Sequence, residues 1–271
     1  MSVQPAQPQS IGGVLDTTFQ LYKASLVKVI PLSLLMVLAS SPSSIYVLTQ
    51  GAGAGAAADP FAMLDMMRSP GYWLAGLVGM VASMWMLSAM YLKIGALGTG
   101  DDLGTGAALQ RALTRLLTVV LMVILFAIAL AVGLVLLLIP GLILAVSLAL
   151  CFNTALFEGK GPVDALTESH RLVWGNWWRT AAIMTVGIII IMVIYFVAAL
   201  IIGVVTPLLV ISGGTENLVL YTLISSLLIG VLMNVLVTPF YISMAVAIYW
   251  DLKLRKDGGD LAARVGALNP A

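Results

Sequence analysis

The run Leu136-Leu137-Leu138-Ile139-Pro140-Gly141-Leu142-Ile143-Leu144 decides how this chain folds. It lies inside a largely apolar stretch, Leu116 to Phe157, that contains no charged residue. As one helix rising 1.5 Å per residue, that stretch would be about 60 Å long. A bilayer's hydrocarbon layer is only about 30 Å thick and is crossed by about 20 residues. Adjacent proline and glycine punctuate a chain, so the stretch reads as two membrane spans that reverse at Pro140-Gly141.

The same criterion applied outward predicts six spans: Leu26 to Leu48, Tyr72 to Leu97, Leu116 to Ile139, Leu142 to Phe157, Thr180 to Ile211 and Leu218 to Trp250. Composition agrees, because the 271 residues are 61% hydrophobic and 9% charged, with a mean hydropathy of +1.08. Soluble domains run at about a quarter charged residues. An all-α integral membrane protein is therefore expected, with residues 11–254 as its membrane domain. Residues 1–10, MSVQPAQPQS, lack a basic start and an apolar core and read as a disordered tail. Pro207 and Pro239 should kink or end the last two spans.

Charge placement orients the spans. Short cytoplasmic flanks retain Lys and Arg, and short translocated loops do not. Every Lys and Arg except Arg68 falls on one side of the six-span arrangement. That puts both termini, including a tail over residues 255–271, in the cytoplasm, and makes three hairpins. The net charge of +1 provides no basic face for a nucleic acid. The one cysteine, Cys151, has no partner for an intrachain disulfide.

An amphipathic segment precedes each hairpin. IGGVLDTTFQLYKASL sets Leu15, Phe19 and Tyr22 at helical spacing, LGTGAALQRALTRLL sets Leu109, Leu113 and Leu116, and GPVDALTESHRLVWGNWWR sets Leu166, His170 and Val173. Each reads as an interfacial elbow helix with its apolar face toward acyl chains, and three such units suggest a pseudo-threefold repeat. The large first loop also contains Asp59-Pro60, a candidate start for a short helix.

Few residues offer chemistry. His170 is the one imidazole, with no second ligand nearby, so neither a metal nor another cofactor is expected. Trp174, Trp177 and Trp178 between Arg171 and Arg179 form the densest aromatic cluster. Indoles sit at headgroup level and guanidinium groups bind phosphate, which makes these five residues a candidate lipid interface. Asn153 and Asn234 are the deepest polar residues within spans, as structural hydrogen-bonding groups or as a passage for substrate. Lys93 and Glu158 lie near span ends, where long side chains reach water.

SIGGVLDTTFQLYK, LLLIPGLILAVSLAL and the stretch from Glu158 through GPVDALTESHRLVWGNWWR give the chain a resemblance to a bacterial six-helix family, the glycerophosphoryl diester phosphodiesterase membrane domain. Gly13 stands where relatives often carry an acidic residue, and Ser147 where many carry a basic one. The resemblance implies an inner-membrane location and three hairpins, and does not imply catalysis. The expectation is a non-enzymatic membrane protein organising lipid or a membrane-protein partner at the cytoplasmic interface. The alternative is a small transporter or flippase for a lipid-like amphiphile.

Overall fold

The computed structural model describes residues 2–49, 67–136, 138–213, 225 and 227–268. Among them every regular element is a helix: α1 Ile11–Ala39, α2 Pro42–Thr49, α3 Pro70–Thr99, α4 Thr105–Leu136, α5 Leu138–Ser147, α6 Cys151–Phe157, α7 Pro162–Val173, α8 Trp177–Gly213 and α9 Thr238–Leu268. Six segments are long and apolar enough to cross a membrane: Ile11–Val47, Pro70–Thr99, Thr105–Val135, Leu138–Phe157, Trp177–Val205 and Leu227–Gly258. The helix expected after Asp59-Pro60 and the expected start of the last span at Leu218 lie outside the described residues.

The spans differ in how much protein surrounds them. In the most apolar window of Trp177–Val205 only 6% of residues are buried, against 61% in Leu227–Gly258. The last span is thus the centre of the bundle, and α8 presents Ile189, Phe196, Leu200 and Leu208 outward. So large an exposed apolar surface suits lipid as its solvent. Around the centre, α1 packs on α3 and α9, and α3 on α4. Tyr91 stacks on Phe152 with ring centroids 5.3 Å apart. Gly98 leaves room for the ring of Trp250, which a Cβ would strike.

The end of α4 and the start of α5 lie side by side, and the chain bends slightly ahead of Pro140-Gly141. A Cβ on Gly133 would lie 3.1 Å from the Gly141 Cα, whereas eight residues of helix would separate these positions by about 12 Å. The chain therefore turns back before Pro140, which sits in the first turn of α5, where its missing N–H breaks no helical bond. The span then breaks between Ser147 and Cys151. Ser169 of α7 bridges this break: its Oγ accepts from Leu150 N at 3.1 Å and donates to Ser147 O at 2.9 Å. Thr154 Oγ1 donates to Ala165 O at 2.8 Å.

Prolines act unevenly. Ahead of Pro239 the backbone widens into a π-helical turn, Met233–Val237, and Thr238 N–H donates to Met233 O five residues back. Widening accommodates a ring that would crowd the preceding turn. Pro207 lies within the continuous helix α8.

Three expectations are corrected. The first two amphipathic segments are not separate elbows but run without a break into spans, as the first turns of α1 and α4. The third is a separate helix, α7, yet it turns Ala165, Ser169, Leu172 and Val173 into the protein; the buried stripe is offset from Leu166 and His170, and its partner is the bundle. Residues 2–10 are tied down. Val3 N, Gln4 N and Ser2 Oγ all donate to Gly98 O, at 2.8, 3.1 and 3.2 Å, satisfying a carbonyl that the last turn of α3 leaves without a helical partner. The segment ends at Ser10, whose side chain caps α1 by accepting from Gly13 N at 3.1 Å. At the other end of the chain, α9 continues through residues 255–268.

Ser169 gives the first test. Ser169→Ala leaves the Leu150 N–H and Ser147 carbonyl without their bridge inside the protein, and an unsatisfied buried group costs about 1–3 kcal/mol. A lower thermal midpoint for the detergent-solubilised variant, with Ser169→Thr recovering part of it, is expected. An unchanged midpoint for Ser169→Ala would show that the bridge contributes nothing.

Candidate lipid interface

The aromatic cluster is placed by the junction of α7 and α8. Trp174 leaves α7 in extended backbone, and Gly175 follows at φ +93, in the left-handed region that a side chain would strain. Trp174 N–H donates to His170 O at 2.8 Å and Asn176 N–H to Val173 O at 2.9 Å, which closes the turn and starts α8 at Trp177. Trp177 is half-buried, and its indole N–H donates to Ile143 O at 3.2 Å, fixing the junction against α5. Trp178 meets Trp177 edge to face at 4.8 Å and is 82% exposed, while Trp174 is 56% exposed.

These indoles form a groove of about 680 Å³ with Ile139, Ile143, Gly175, Asn176 and Arg179. Trp174, Trp177, Trp178 and Arg179 are thus brought together as the sequence suggests. Arg171 is not among the lining residues. Nor do the two arginines converge, since each is held by a different carboxylate. Arg171 forks onto Glu168, with Nε 3.0 Å from Oε2 and Nη2 2.5 Å from Oε1. Arg179 holds Asp251, with Nε and Nη2 at 3.1 and 3.0 Å from Oδ2, and donates from Nη2 to Gln9 O at 2.6 Å. The groove is therefore an apolar, indole-walled seat without a free guanidinium at its floor.

Behind it lies a network of charges at one end of the bundle. Asp251, 1% exposed, also accepts from Arg255 Nε at 3.0 Å and Gln9 N–H at 2.7 Å. Arg255 Nη2 donates to Gln9 O at 2.6 Å. Glu158 accepts from Lys253 Nζ and Tyr249 OH, both at 2.7 Å. Lys160 bridges Glu158 and Glu168 at 3.0 and 2.8 Å. Burial pushes the Glu158 carboxyl up, but bonds from Lys253, Tyr249 and Lys160 outweigh it, so its pKa is lowered overall. Arg171 foremost, then Lys160, draws Glu168 down to about 2 against burial. The same contacts raise Lys160 and Arg171.

Asn153 and Asn234 stand apart from the groove and from each other's bonding. Asn234 Nδ2 donates to Gly230 O at 2.9 Å, within its own helix beside the π turn. Asn153 is completely buried, and both its amide atoms lack a partner among the described residues. Lys93, read as a residue reaching for water, is instead buried, with Nζ 2.8 Å from Thr105 Oγ1. His170 lies against Trp174 with ring centroids 5.0 Å apart. Among the described residues no three of His, Cys, Asp and Glu converge to hold a metal.

Asp251, Glu158 and Glu168 were missed as anchors. The spacing of Glu168 to Arg171 and of Asp251 to Arg255 signals such helical pairs; nothing in the sequence marks Gln9. Comparison with family models, curated proteins and solved structures finds no match to this chain.

The Glu168 contacts predict an acid limb. Its folded-state pKa is depressed, so its stabilising contribution is complete above the ordinary value of 4.5 and is lost as pH falls toward about 2. The thermal midpoint of solubilised protein should fall across that window, less steeply in Glu168→Gln; identical slopes would remove Glu168 from the stability of this network.

Proposed function

We propose that the protein is a non-enzymatic integral membrane protein that seats a membrane lipid in the tryptophan groove, and so organises lipid at one membrane face. The groove itself carries the reading: three indoles and two isoleucines wall a cavity of about 680 Å³ at the ends of membrane-spanning helices, with Trp174 and Trp178 turned outward. Indoles combine a large apolar face with a donor and favour the headgroup level. The occupant that fits is the glycerol and upper acyl region of a phospholipid. The neighbouring Arg179 serves Asp251 and does not select headgroup charge.

The fuller reading keeps the three-hairpin architecture. It places the paired basic end in the cytoplasm of a bacterial cell, both termini included, and the spans in the inner membrane. The distribution of Lys and Arg supports that orientation. The resemblance to the glycerophosphoryl diester phosphodiesterase membrane domain supports the location. A membrane-protein partner at the same face belongs to this reading.

Native mass spectrometry of gently solubilised protein tests the groove. The wild type should retain lipid, and Trp174→Ala with Trp178→Ala should reduce the bound fraction about tenfold, the equivalent of about 1.4 kcal/mol. Trp177 is left in place because it anchors α8 to α5. A wild type free of lipid, or equal retention by the double variant, would sink the proposal.

Transport or flipping of a lipid-like amphiphile is a second reading, favoured by the unpartnered buried amide of Asn153, since polar groups within spans often mark pathways. On that reading Asn153→Leu abolishes lipid scrambling in proteoliposomes while leaving the thermal midpoint intact. Absence of scrambling by the wild type rejects it.

A further inference from the structure

A second cleft, of about 560 Å³, opens at the same end of the bundle and is lined by none of Trp174, Trp177 and Trp178. Its walls come from the last turns of α3, the start of α4, the end of α6, the middle of α9 and the N-terminal segment. Leu92, Leu156 and Phe157 supply an apolar side, and Arg111, Asp257 and Gln4 a polar one.

The state of these polar groups distinguishes the cleft from the rest of the basic end. Lys253, which also lines it, is occupied by Glu158 at 2.7 Å, and Tyr249 is bonded to the same carboxylate. Arg111, Asp257 and Gln4 are exposed. Among the described residues neither the Arg111 guanidinium nor the Asp257 carboxylate has an ion pair, with each other or with any third group, although both border one cavity. Elsewhere at this end, carboxylates and cations within reach have paired, as at Glu158, Glu168 and Asp251. Two opposite charges held apart across a cleft with an apolar wall are complementary to a molecule carrying both charges and an apolar portion.

We propose that this cleft binds the zwitterionic phosphoryl-amine group of an amphiphile, with the phosphate on Arg111, the ammonium on Asp257 and the hydrocarbon against Leu92, Leu156 and Phe157. Guanidinium forks onto phosphate oxygens through two parallel bonds. The carboxylate accepts from the ammonium and repels a ligand that is purely anionic, so it sets selectivity by opposing the wrong charge. The amide of Gln4 adds a neutral donor and acceptor at the mouth, held there by the bond from its backbone N–H to Gly98 O at 3.1 Å. The site is independent of the tryptophan groove and shares no lining residue with it.

The test uses full-length protein equilibrated in bilayer nanodiscs of equal phosphatidylethanolamine and phosphatidylglycerol, followed by native mass spectrometry of retained lipid. The wild type should enrich phosphatidylethanolamine. Arg111→Gln should lower retention of that lipid about tenfold, as expected for loss of a charge-assisted pair. Asp257→Asn should instead shift the retained lipid toward phosphatidylglycerol, because the repulsion of anions is gone. Both variants should unfold at the wild-type temperature, since neither side chain makes a bond that the substitution breaks. Added phosphoethanolamine separates the sources: displacement of the retained lipid identifies a soluble zwitterion as a sufficient ligand, and no displacement identifies the lipid. Trp174→Ala with Trp178→Ala should lower total retained lipid and raise the phosphatidylethanolamine share of what remains, because the groove does not select headgroups, so the groove and the cleft fail separately. Wild-type ratios in both Arg111→Gln and Asp257→Asn, or no enrichment by the wild type, would overturn the proposal.

Discussion

Asp251 is the constraint on which the basic end of the bundle depends. A carboxylate that is 1% exposed at the end of a membrane span must be paired, because an isolated charge out of water is unfavourable by several kcal/mol even after relaxation. Its partners come from three parts of the chain: Arg179 in the first turn of α8, Arg255 one turn along α9, and the backbone of Gln9 ahead of α1. Gln9 closes the set by offering its carbonyl to both arginines. The group is thus a knot in which N–H donors satisfy the carboxylate and a backbone oxygen accepts a further N–H from each guanidinium. It fixes where α8 begins, and with it the direction of Trp177 and Trp178.

Backbone polarity imposes the second constraint. Within lipid no water can satisfy a broken helix, so a break is stable only where protein supplies the missing partners. The interruption between α5 and α6 meets that condition through Ser169, and the one before Pro239 through the widened π turn and the Asn234 amide. The first explains why α7 faces inward. A helix whose hydroxyl completes the interior of a span cannot lie on the surface with its apolar stripe among acyl chains. Packing α7 into the bundle leaves its C-terminal turn at the edge, and there Gly175 redirects the chain so that Trp174 and Trp178 face out.

The all-helical class and the six candidate spans are legible in the sequence because span length answers to large energies. An apolar stretch twice the layer thickness must reverse, and Pro140-Gly141 marks the place to within a turn. Finer features depend on small differences. Nothing between Lys23 and Leu26 or between Arg115 and Leu116 breaks a helix, so the amphipathic starts of α1 and α4 simply continue into spans. The stripe of α7 is ambiguous because Ala165 and Ser169 are small enough to be buried although neither is strongly apolar. Of the five residues read as a lipid interface, the indoles were identifiable by their crowding. The fates of Arg171 and Arg179 turn on contacts with Glu168, three residues away, and with Asp251, 72 residues away.

That pairing changes what the basic character of this face means. Read along the sequence, Lys and Arg at span ends suggest a surface prepared for anionic headgroups. In the structure Lys160, Arg171, Arg179, Lys253 and Arg255 are each joined to a carboxylate of the same chain, so much of the positive charge binds the protein to itself. Such buried or half-buried pairs exchange hydration for specific geometry and add little net stability, but they hold helix ends in register without drawing on lipid. What the network leaves over includes the exposed indoles of Trp174 and Trp178, and a cation and an anion, Arg111 and Asp257, that line one cleft without an ion pair. Free charges at a membrane face attract any anionic lipid by field alone; pairing these five cations with carboxylates of the same chain weakens that field.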